Sequence, residues 1–294
     1  MKTITADLLR GMPLPEHGGD ADKDERGQVM VIGGGLEVPG AALLGAIGAL
    51  RAGAGKLQIA TCRSIAPQLG LAVPEALVIG LPETEQGGIA GAGAEILARR
   101  AARANAILVG PGMMEPEESE ALVAGLLQAA GDETSFVLDA GALRGLRDHP
   151  ERLHRHGGQA VITPHAGEMA SLLGVSREAV AADPLGIAKQ AASRLRCVVA
   201  LKGGVTHVVS PEGEAWLFQE GTVGLATSGS GDTLAGVIVG LLARGTPALL
   251  AAMWGVYLHG EAGNRLMRRH GGIGFLAREL LAEIPAIMAE TCEG

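Results

Sequence analysis

The sequence predicts one α/β domain, built around a doubly wound, mostly parallel sheet with helices on both faces. Short runs of Val, Ile, Leu and Ala alternate along the chain with longer helical segments, as expected for strands that are buried on both faces. Of the 294 residues, 47% are hydrophobic but only 2% are aromatic, so small aliphatic side chains must form the core. A single domain, residues 1–294, can bury such a core.

The elements follow one another in a regular series. Residues 1–26 are polar and rich in Gly, Asp and Glu, which predicts a loosely ordered N-terminal strap. A strand at 28–32 then runs into Gly33-Gly34-Gly35, and Pro39 opens a helix, because proline suits a first helical turn. Further strands are predicted at 56–60, 76–79, 106–109, 136–138, 160–162 and 198–201. Helices are predicted at 39–51, 91–104, 115–130, 167–173, 184–195, 229–243, 247–269 and 274–289.

A hairpin interrupts this parallel series. Apolar runs at 206–210 and 214–217 flank Pro211-Glu212-Gly213, a combination typical of a tight turn. No repeat or low-complexity linker divides the sequence. We therefore expect one ligand crevice, where the carboxyl ends of the parallel strands meet.

Charge, hydropathy and cysteine content exclude several classes of function. The net charge is −8, and no stripe of Lys or Arg could release counterions from a phosphate backbone, which argues against nucleic-acid binding. No segment is apolar over the length of a membrane span, so no membrane partner is expected. The three cysteines, Cys62, Cys197 and Cys292, fit neither a disulfide framework nor a zinc site, which indicates a reducing, cytoplasmic setting.

The richest chemical signal lies at residues 226–236, where a glycine-rich turn runs into a long apolar helix. Small residues leave the amides of Gly229, Ser230 and Gly231 uncovered at a helix start, where unpaired donors and the helix dipole attract a phosphate. Asp232 follows in the first turn, placed to accept a proton from a hydroxyl that attacks a phosphoryl group. An Asp here is also a common helix cap, but the Gly-Ser-Gly before it and the motifs below favour the catalytic interpretation.

Three other segments carry candidate ligand contacts. Lys202, at a strand end, is a compact cation near the proposed phosphate site, although a surface lysine would give the same pattern. The Gly110-Pro111-Gly112 segment would let the backbone approach a ligand closely, unless it is an ordinary turn. His165, between a strand and a helix, either binds a ligand or caps the helix. Glu168 either positions a hydrated cation or complements the dipole of that helix.

Seven short motifs in a fixed order give the chain its family resemblance. They are Pro39-Gly40-Ala41, Gly53-Ala54-Gly55, Gly110-Pro111-Gly112, and the segments 138–143, 163–168, 201–206 and 228–236. With them the chain resembles the ADP/ATP-dependent NAD(P)H-hydrate dehydratases, a branch of the ribokinase-like superfamily, from about residue 28 to residue 264. The chain departs from the family pattern at Gly141, Ser228 and Asn264.

The resemblance implies a role for each matching residue. Contacts to the hydrated nicotinamide nucleotide are implied for Ala41, Gly112, His165 and Asp232. Contacts to the adenine nucleotide are implied for Lys202, Gly203, Gly204, Val205, Thr206 and Gly231. The implied reaction is the dehydration of the S epimer of NADHX or NADPHX, which are nicotinamide dinucleotides with a hydrated ring. ATP or ADP is the implied co-substrate, phosphate leaves, and Mg²⁺ assists through ligands that the sequence does not identify.

The resemblance also implies a homo-oligomer and a functional partnership with an epimerase. No segment of this sequence has room for an epimerase domain. Two alternatives stay open. A ribokinase-like kinase acting on a vitamin precursor or sugar alcohol would use the same Gly-Ser-Gly-Asp turn, although the segments around His165 and Lys202 favour the dehydratase. A nucleotide-binding protein without catalysis is the other alternative, and the intact Asp232 argues against it.

Overall fold

A ten-stranded, mostly parallel sheet runs through the computed structural model, which describes residues 2–16, 18 and 22–293. The strands are β1 (Lys2–Thr3), β2 (Gln28–Ile32), β3 (Lys56–Cys62), β4 (Ala76–Leu81), β5 (Ala106–Val109), β6 (Ser135–Leu138), β7 (Ala160–Ile162), β8 (Val198–Leu201), β9 (Thr206–Val209) and β10 (Ala215–Phe218). They lie in the order β1-β10-β9-β8-β7-β6-β5-β2-β3-β4. Among the described strands, β9 alone runs antiparallel to its neighbours, as the predicted hairpin requires.

Helices connect the parallel strands and cover the sheet. They are α1 (Ala6–Arg10), α2 (Pro39–Arg51), α3 (Ala66–Ala72), α4 (Gly93–Ala101), α5 (Pro116–Ala129), α6 (Ala166–Leu173), α7 (Arg177–Ala182), α8 (Pro184–Leu195), α9 (Ser230–Ala243), α10 (Ala248–His270) and α11 (Ala277–Glu293). Two 3-10 helices, Ala140–Leu146 and Pro150–His156, follow β6. The doubly wound, mostly parallel α/β fold predicted from the sequence is confirmed.

The predicted elements are present with shifted ends. Proline opens α2, as the sequence indicated for Pro39, and also opens α5 and α8, because it fits the first turn of a helix. The helix predicted at 91–104 is shorter, Gly93–Ala101, and the helix predicted at 274–289 runs later, Ala277–Glu293. The short helices α3 and α7 and the two 3-10 helices after β6 were not predicted, since segments of six or seven residues show little periodicity.

The prediction of a loosely ordered strap is wrong for the start of the chain. Lys2–Thr3 pairs in parallel with β10, and Ala6–Arg10 forms a helix whose Leu9 is fully buried. The indole of Trp254 donates a hydrogen bond to the Met12 carbonyl at 2.9 Å. These contacts join residues far apart in sequence, so local composition could not reveal them. The remainder of the strap lies partly outside the described residues.

Close packing of α2 against α9 fixes the start of α9 over the sheet. A Cβ atom at Gly236 would lie 2.3 Å from the Gly45 carbonyl oxygen, and one at Gly240 would lie 2.5 Å from the Ala49 carbonyl oxygen. Glycine is therefore needed on α9 wherever the two backbones touch. The first turn of α9 is thereby held on a rigid support. None of the helices described here is both long and apolar enough to span a membrane.

Candidate functional site

Two clefts meet at His165, which lines both of them. The first cleft, about 650 Å³, is lined by the chain after β8 and by the start of α9. The second cleft, about 520 Å³, is lined by the 3-10 helix Ala140–Leu146 and by α6. Loops that follow the neighbouring strands β6, β7 and β8 bring these walls together. The crevice expected at the carboxyl ends of the strands is thus present, and His165 divides it.

Lys202 is held inside this crevice by a buried carboxylate. Its ammonium donates a hydrogen bond at 2.9 Å to Oδ1 of Asp139, which also accepts one at 2.8 Å from the Thr163 hydroxyl. Asp139 is only 2% exposed, and Glu168 Oε2 lies 3.9 Å from the same ammonium. Burial acts to lower the pKa of Lys202, but Asp139, Glu168 and Asp232 together raise it above its ordinary value. Lys202 is thus a fixed, permanently charged cation.

Asp232 lies beside this cation in an environment that disfavours its ionised form. Burial raises its pKa to about 6, and the negative charges of Asp139 and Glu168 contribute, while Lys202 acts in the opposite direction. A carboxylate with such a pKa is ionised at neutral pH but takes up a proton more readily than an ordinary aspartate. That behaviour suits a general base.

The start of α9 presents backbone amides to the first cleft. Gly229 precedes the helix with a φ of 87°, which glycine adopts without strain, and α9 begins at Ser230. Of the three residues of the predicted anion hole, Ser230 and Gly231 line the first cleft and Gly229 does not, and the Ser230 amide donates to the Thr227 carbonyl at 3.2 Å. A Cβ atom at Gly231 would lie 3.1 Å from the Lys202 ammonium, which shows how near the cation is to the helix start.

The Ser230 hydroxyl is tied to a buried histidine on α10. His259 Nε2 lies 2.9 Å from Ser230 Oγ, and both residues line the first cleft. Burial lowers the pKa of His259 to about 4, and the charge of Lys202 also lowers it. His259 is therefore neutral at physiological pH and holds the α9 start without adding charge.

His165 and Glu168 cap α6. The Nδ1 atom of His165 accepts from the Gly167 and Glu168 amides at 2.9 and 3.1 Å, and Glu168 Oε2 accepts from the His165 amide at 2.8 Å. This is a capping box, with histidine in the place of the usual hydroxyl residue. The Nε2 atom of the imidazole lies 3.4 Å from Glu168 Oε1.

The other predicted contact residues divide between two places. Lys202, Gly203, Gly204, Thr206 and Gly231 line the first cleft, whereas Val205, 37% exposed, does not. Ala41 and Gly112 adjoin each other near the opposite wall, since a Cβ atom at Gly112 would lie 3.0 Å from the Ala41 Cβ. Both are outside the two clefts, and they follow β2 and β5, of which β5 lies next to β6.

Asp139 and His259 complete the site but were not among the predicted site residues. Asp139 stands at a strand end inside a recognised motif, a position that could have suggested a ligand contact. Its salt bridge to Lys202 spans 63 positions of the sequence and cannot be inferred from local pattern. Ala140, with a left-handed φ of 47°, turns the chain sharply just after it.

Among the described residues, no group of three or more His, Cys, Asp or Glu side chains is placed to hold a metal ion by itself. The carboxylates of the site surround Lys202 instead. This donor set fits an Mg²⁺ ion that is held mainly by nucleotide phosphates, because Mg²⁺ commonly uses one or two carboxylates together with substrate oxygens.

The family follows from sequence comparison. Residues 29–286 match the sequence model of the NAD(P)H-hydrate dehydratases. The chain belongs to the NAD(P)H-hydrate dehydratase family. It is 47% identical to the ADP-dependent (S)-NAD(P)H-hydrate dehydratase of Xanthomonas campestris over 98% of this chain and 96% of that protein. It is 35% identical to the bifunctional NAD(P)H-hydrate repair enzyme of Moorella thermoacetica and spans about half of it, 54%.

Solved structures share the fold. The ADP/ATP-dependent NAD(P)H-hydrate dehydratase of Bacillus subtilis, co-crystallized with ATP/Mg²⁺, matches with a TM-score of 0.81 and 30% identity over 99% of this chain and 98% of that one. A ribokinase-like superfamily protein of Enterococcus faecalis matches with a TM-score of 0.86 and 24% identity over 100% and 97% of the two chains. The family and the ribokinase-like fold predicted from the motifs are confirmed.

Proposed function

We propose that the chain dehydrates the S epimer of NADHX or NADPHX with ADP or ATP as co-substrate, restoring the reduced nicotinamide ring and releasing phosphate. The observation that carries the proposal is the position of Asp232, a carboxylate of raised pKa beside a fixed cation and the amide-rich start of α9. A base, a cation and an amide cradle together are what phosphoryl transfer to a hydroxyl requires. The 47% identical relative from Xanthomonas supports the choice of substrate.

In the proposed reaction the ring hydroxyl becomes a better leaving group. The Asp232 carboxylate accepts the hydroxyl proton as the oxygen attacks the terminal phosphoryl group, whose bond to the nucleotide breaks. The Gly229 and Gly231 amides and the Lys202 ammonium stabilise the charge on the phosphoryl oxygens. The lone pair of the ring nitrogen then expels phosphate, and the neighbouring carbon loses the proton that hydration had added. The products are NAD(P)H, phosphate and the shortened nucleotide.

The two substrates are assigned to different sides of the site. The first cleft, with Lys202, Gly203, Gly204 and Thr206, is proposed to hold the adenine nucleotide. Ala41, Gly112 and His165 are proposed to contact the hydrated nicotinamide nucleotide from the other side of Asp232. Mg²⁺ would be held mainly by the nucleotide phosphates and would offset their charge, and Asp139 and Glu168, the carboxylates beside Lys202, would help to hold it.

The setting and partners of the enzyme form part of the proposal. A cytoplasmic location is supported by Cys62 and Cys197, which are buried free thiols as expected in a reducing compartment. An epimerase partner is supported by the bifunctional repair enzyme, about half of which this chain spans. A homo-oligomeric state is proposed from the family resemblance.

A stoichiometric assay tests the proposed activity. Hydrated NADH is mixed with the protein, Mg²⁺ and ADP or ATP, and we expect ring absorbance to return with an equal amount of inorganic phosphate. The exposed Asp148→Asn variant serves as a matched control and should behave like the wild type. Nucleotide consumption without phosphate release or ring recovery would instead indicate a kinase, and no consumption at all would indicate a binding protein.

A further inference from the structure

The second cleft lies beside the site of the proposed phosphoryl transfer, but Asp232, Lys202 and Gly231, which carry that transfer, do not line it. Its walls are the 3-10 helix that carries Arg144 and the α6 segment that carries Gly167, and it shares His165 with the nucleotide cleft. Met113 and Met114 add apolar surface. A ligand that fills this cleft would therefore extend away from the reacting groups, past His165.

Arg177 leans over this cleft from the start of α7. A Cβ atom at Gly167 would lie 2.4 Å from Arg177 Nη2 and 2.9 Å from His165 Cε1, so the guanidinium and the imidazole lie side by side over Gly167. Arg177 is exposed, and no hydrogen bond or ion pair within 4.0 Å joins its guanidinium to any residue in the described part of the chain. The charge of its neighbour Glu178 acts on it only at longer range.

Arg144 has the same character on the facing wall. It is exposed and lines the cleft, and its guanidinium makes no hydrogen bond or ion pair with the residues that the structure describes. The site of the proposed phosphoryl transfer has a different balance of charge, because three carboxylates, Asp139, Glu168 and Asp232, share the single ammonium of Lys202. Glu168 also lines the second cleft, but its carboxylate lies 3.9 Å from the Lys202 ammonium, whereas the guanidinium groups of Arg144 and Arg177 have no carboxylate within 4.0 Å among the described residues. Two unpaired guanidinium groups attract a polyanionic group, and their forked donors suit phosphate oxygens.

We propose that Arg144 and Arg177 bind the pyrophosphate of the dinucleotide substrate, so that the second cleft holds its adenosine half while the hydrated ring reaches Asp232. This inference rests on the proposed function, since NADHX and NADPHX are both dinucleotides with such a linkage. The apolar surface of Met113 and Met114 provides a contact for the adenosine. The two arginines are specificity residues that distinguish a dinucleotide from a bare hydrated nicotinamide riboside.

A binding titration tests the subsite without relying on turnover. The fluorescence of NADH reports its Kd for the protein, and Arg144→Gln and Arg177→Gln should each raise that Kd about five- to tenfold. Arg177→Lys should retain part of the affinity, because one charge remains. The matched control is Arg99→Gln, an exposed arginine on α4 far from both clefts, and it should leave the Kd unchanged. Added salt should weaken NADH binding less in the variant that combines Arg144→Gln with Arg177→Gln than in the wild type.

Steady-state kinetics with two alternative substrates provide a second test of the subsite. With hydrated NADH, both variants should raise KM while kcat and the KM for ADP stay unchanged. With hydrated, reduced nicotinamide riboside, which lacks the pyrophosphate, the variants should match the wild type. Equal losses on both substrates, an unchanged NADH Kd, or a wild type that binds no dinucleotide would overturn the subsite. A wild type that binds NADH through these arginines but never restores the ring would overturn the proposed function alone.

Discussion

The behaviour of Asp232 depends on three neighbouring charges as well as on its burial. Burial and the carboxylates of Asp139 and Glu168 favour its protonated form, and Lys202 limits the effect, so its pKa settles at about 6. A base must be ionised before it reacts and must hold the proton afterwards. A pKa just below the working pH reconciles these requirements.

The first prediction concerns the loss of this base. Asp232→Asn should lower kcat by a factor on the order of hundreds or more while leaving nucleotide affinity nearly intact, because the amide cradle and Lys202 remain. In the wild type, kcat/KM should fall as the pH drops through about 6, where the carboxylate becomes protonated. The variant should lose this acid limb in a pH–rate profile. Near-normal turnover of Asp232→Asn would refute the base assignment.

The second prediction concerns stability. Because folding raises the pKa of Asp232 from 3.8 to about 6, the folded state binds more protons than the unfolded state between these pH values. The carboxylate therefore destabilises the fold increasingly as the pH rises through that window. Asp232→Asn should increase the free energy of unfolding by roughly 1–3 kcal/mol at pH 7 and by much less at pH 4, as measured by urea denaturation. An equal increase in the free energy of unfolding at both pH values would contradict the raised pKa of Asp232 in the folded state.

The third prediction separates the electrostatic and structural roles of Lys202. Lys202→Met leaves Asp139 buried without its cation and should cost about 3–5 kcal/mol of stability. Adding Asp139→Leu should restore most of this stability. A smaller loss should remain, because the Thr163 hydroxyl no longer has its acceptor. Both variants should bind ADP more weakly in calorimetric titrations. If the double variant regained nucleotide affinity along with stability, Lys202 would not be a nucleotide contact.

At the level of single residues, the sequence predicted those with local signals. Asp232 and Gly231 stand in a glycine-rich helix start, and Lys202 ends a strand, so their positions could be inferred from neighbours in the chain. Asp139 could not be paired with Lys202, because the contact depends on β6, β7 and β8 lying side by side. For His165 the sequence left two interpretations, and the structure shows the helix-capping one, while ligand contact stays a prediction.

Among the elements, α9 connects the fold most directly to the chemistry. Its first turn carries the amide cradle and Asp232, and its later turns pack against α2 through glycines on both helices. The orientation of the cradle therefore depends on helix packing that begins beside Asp232, at Thr233, and continues to Gly240.

The fourth prediction tests this dependence. Gly236→Ala places a methyl group 2.3 Å from the Gly45 carbonyl oxygen, so the helices must separate. Overpacking of this kind should lower the free energy of unfolding by about 1–3 kcal/mol, and kcat should fall more than the change in folded fraction explains. Gly70→Ala on α3 is a matched control for adding a methyl group to a helix without a clash, because the nearest atom to the new Cβ would be a Val78 methyl at 3.6 Å. Full activity of Gly236→Ala would show that the helix spacing is not needed.

The strength of the sequence signal decides which elements could be predicted. Long apolar helices such as α9 and α10 and the buried strands were recognised, because their patterns repeat over many residues. The N-terminal pair β1 and α1 was missed, since its burial depends on β10 and on the α10 residue Trp254. The observed helix ends differ from the predicted ones by a few residues, because the terminal turns of helices fray and their ends depend on capping.

For the whole molecule, the parallel sheet explains why distant motifs form one site. Asp139, Thr163 and Lys202 follow β6, β7 and β8, which are consecutive in the sheet, while α9 packs against β5 and β6. The doubly wound topology thus brings a base, a cation and two clefts to one edge. Sequence motifs predicted this gathering, but the division of the crevice at His165 needed the structure.

The fifth prediction tests the central claim, that Asp232 activates the ring hydroxyl to accept a phosphoryl group and leave as phosphate. Hydrated NADH is prepared in water enriched in a heavy oxygen isotope, so that the ring hydroxyl carries the label, and the reaction is run with ADP or ATP in ordinary water. Mass spectrometry of the released phosphate should find one heavy oxygen for each ring restored. Unlabelled phosphate, with the heavy oxygen lost to water, would mean that the nucleotide is simply hydrolysed and would contradict the mechanism.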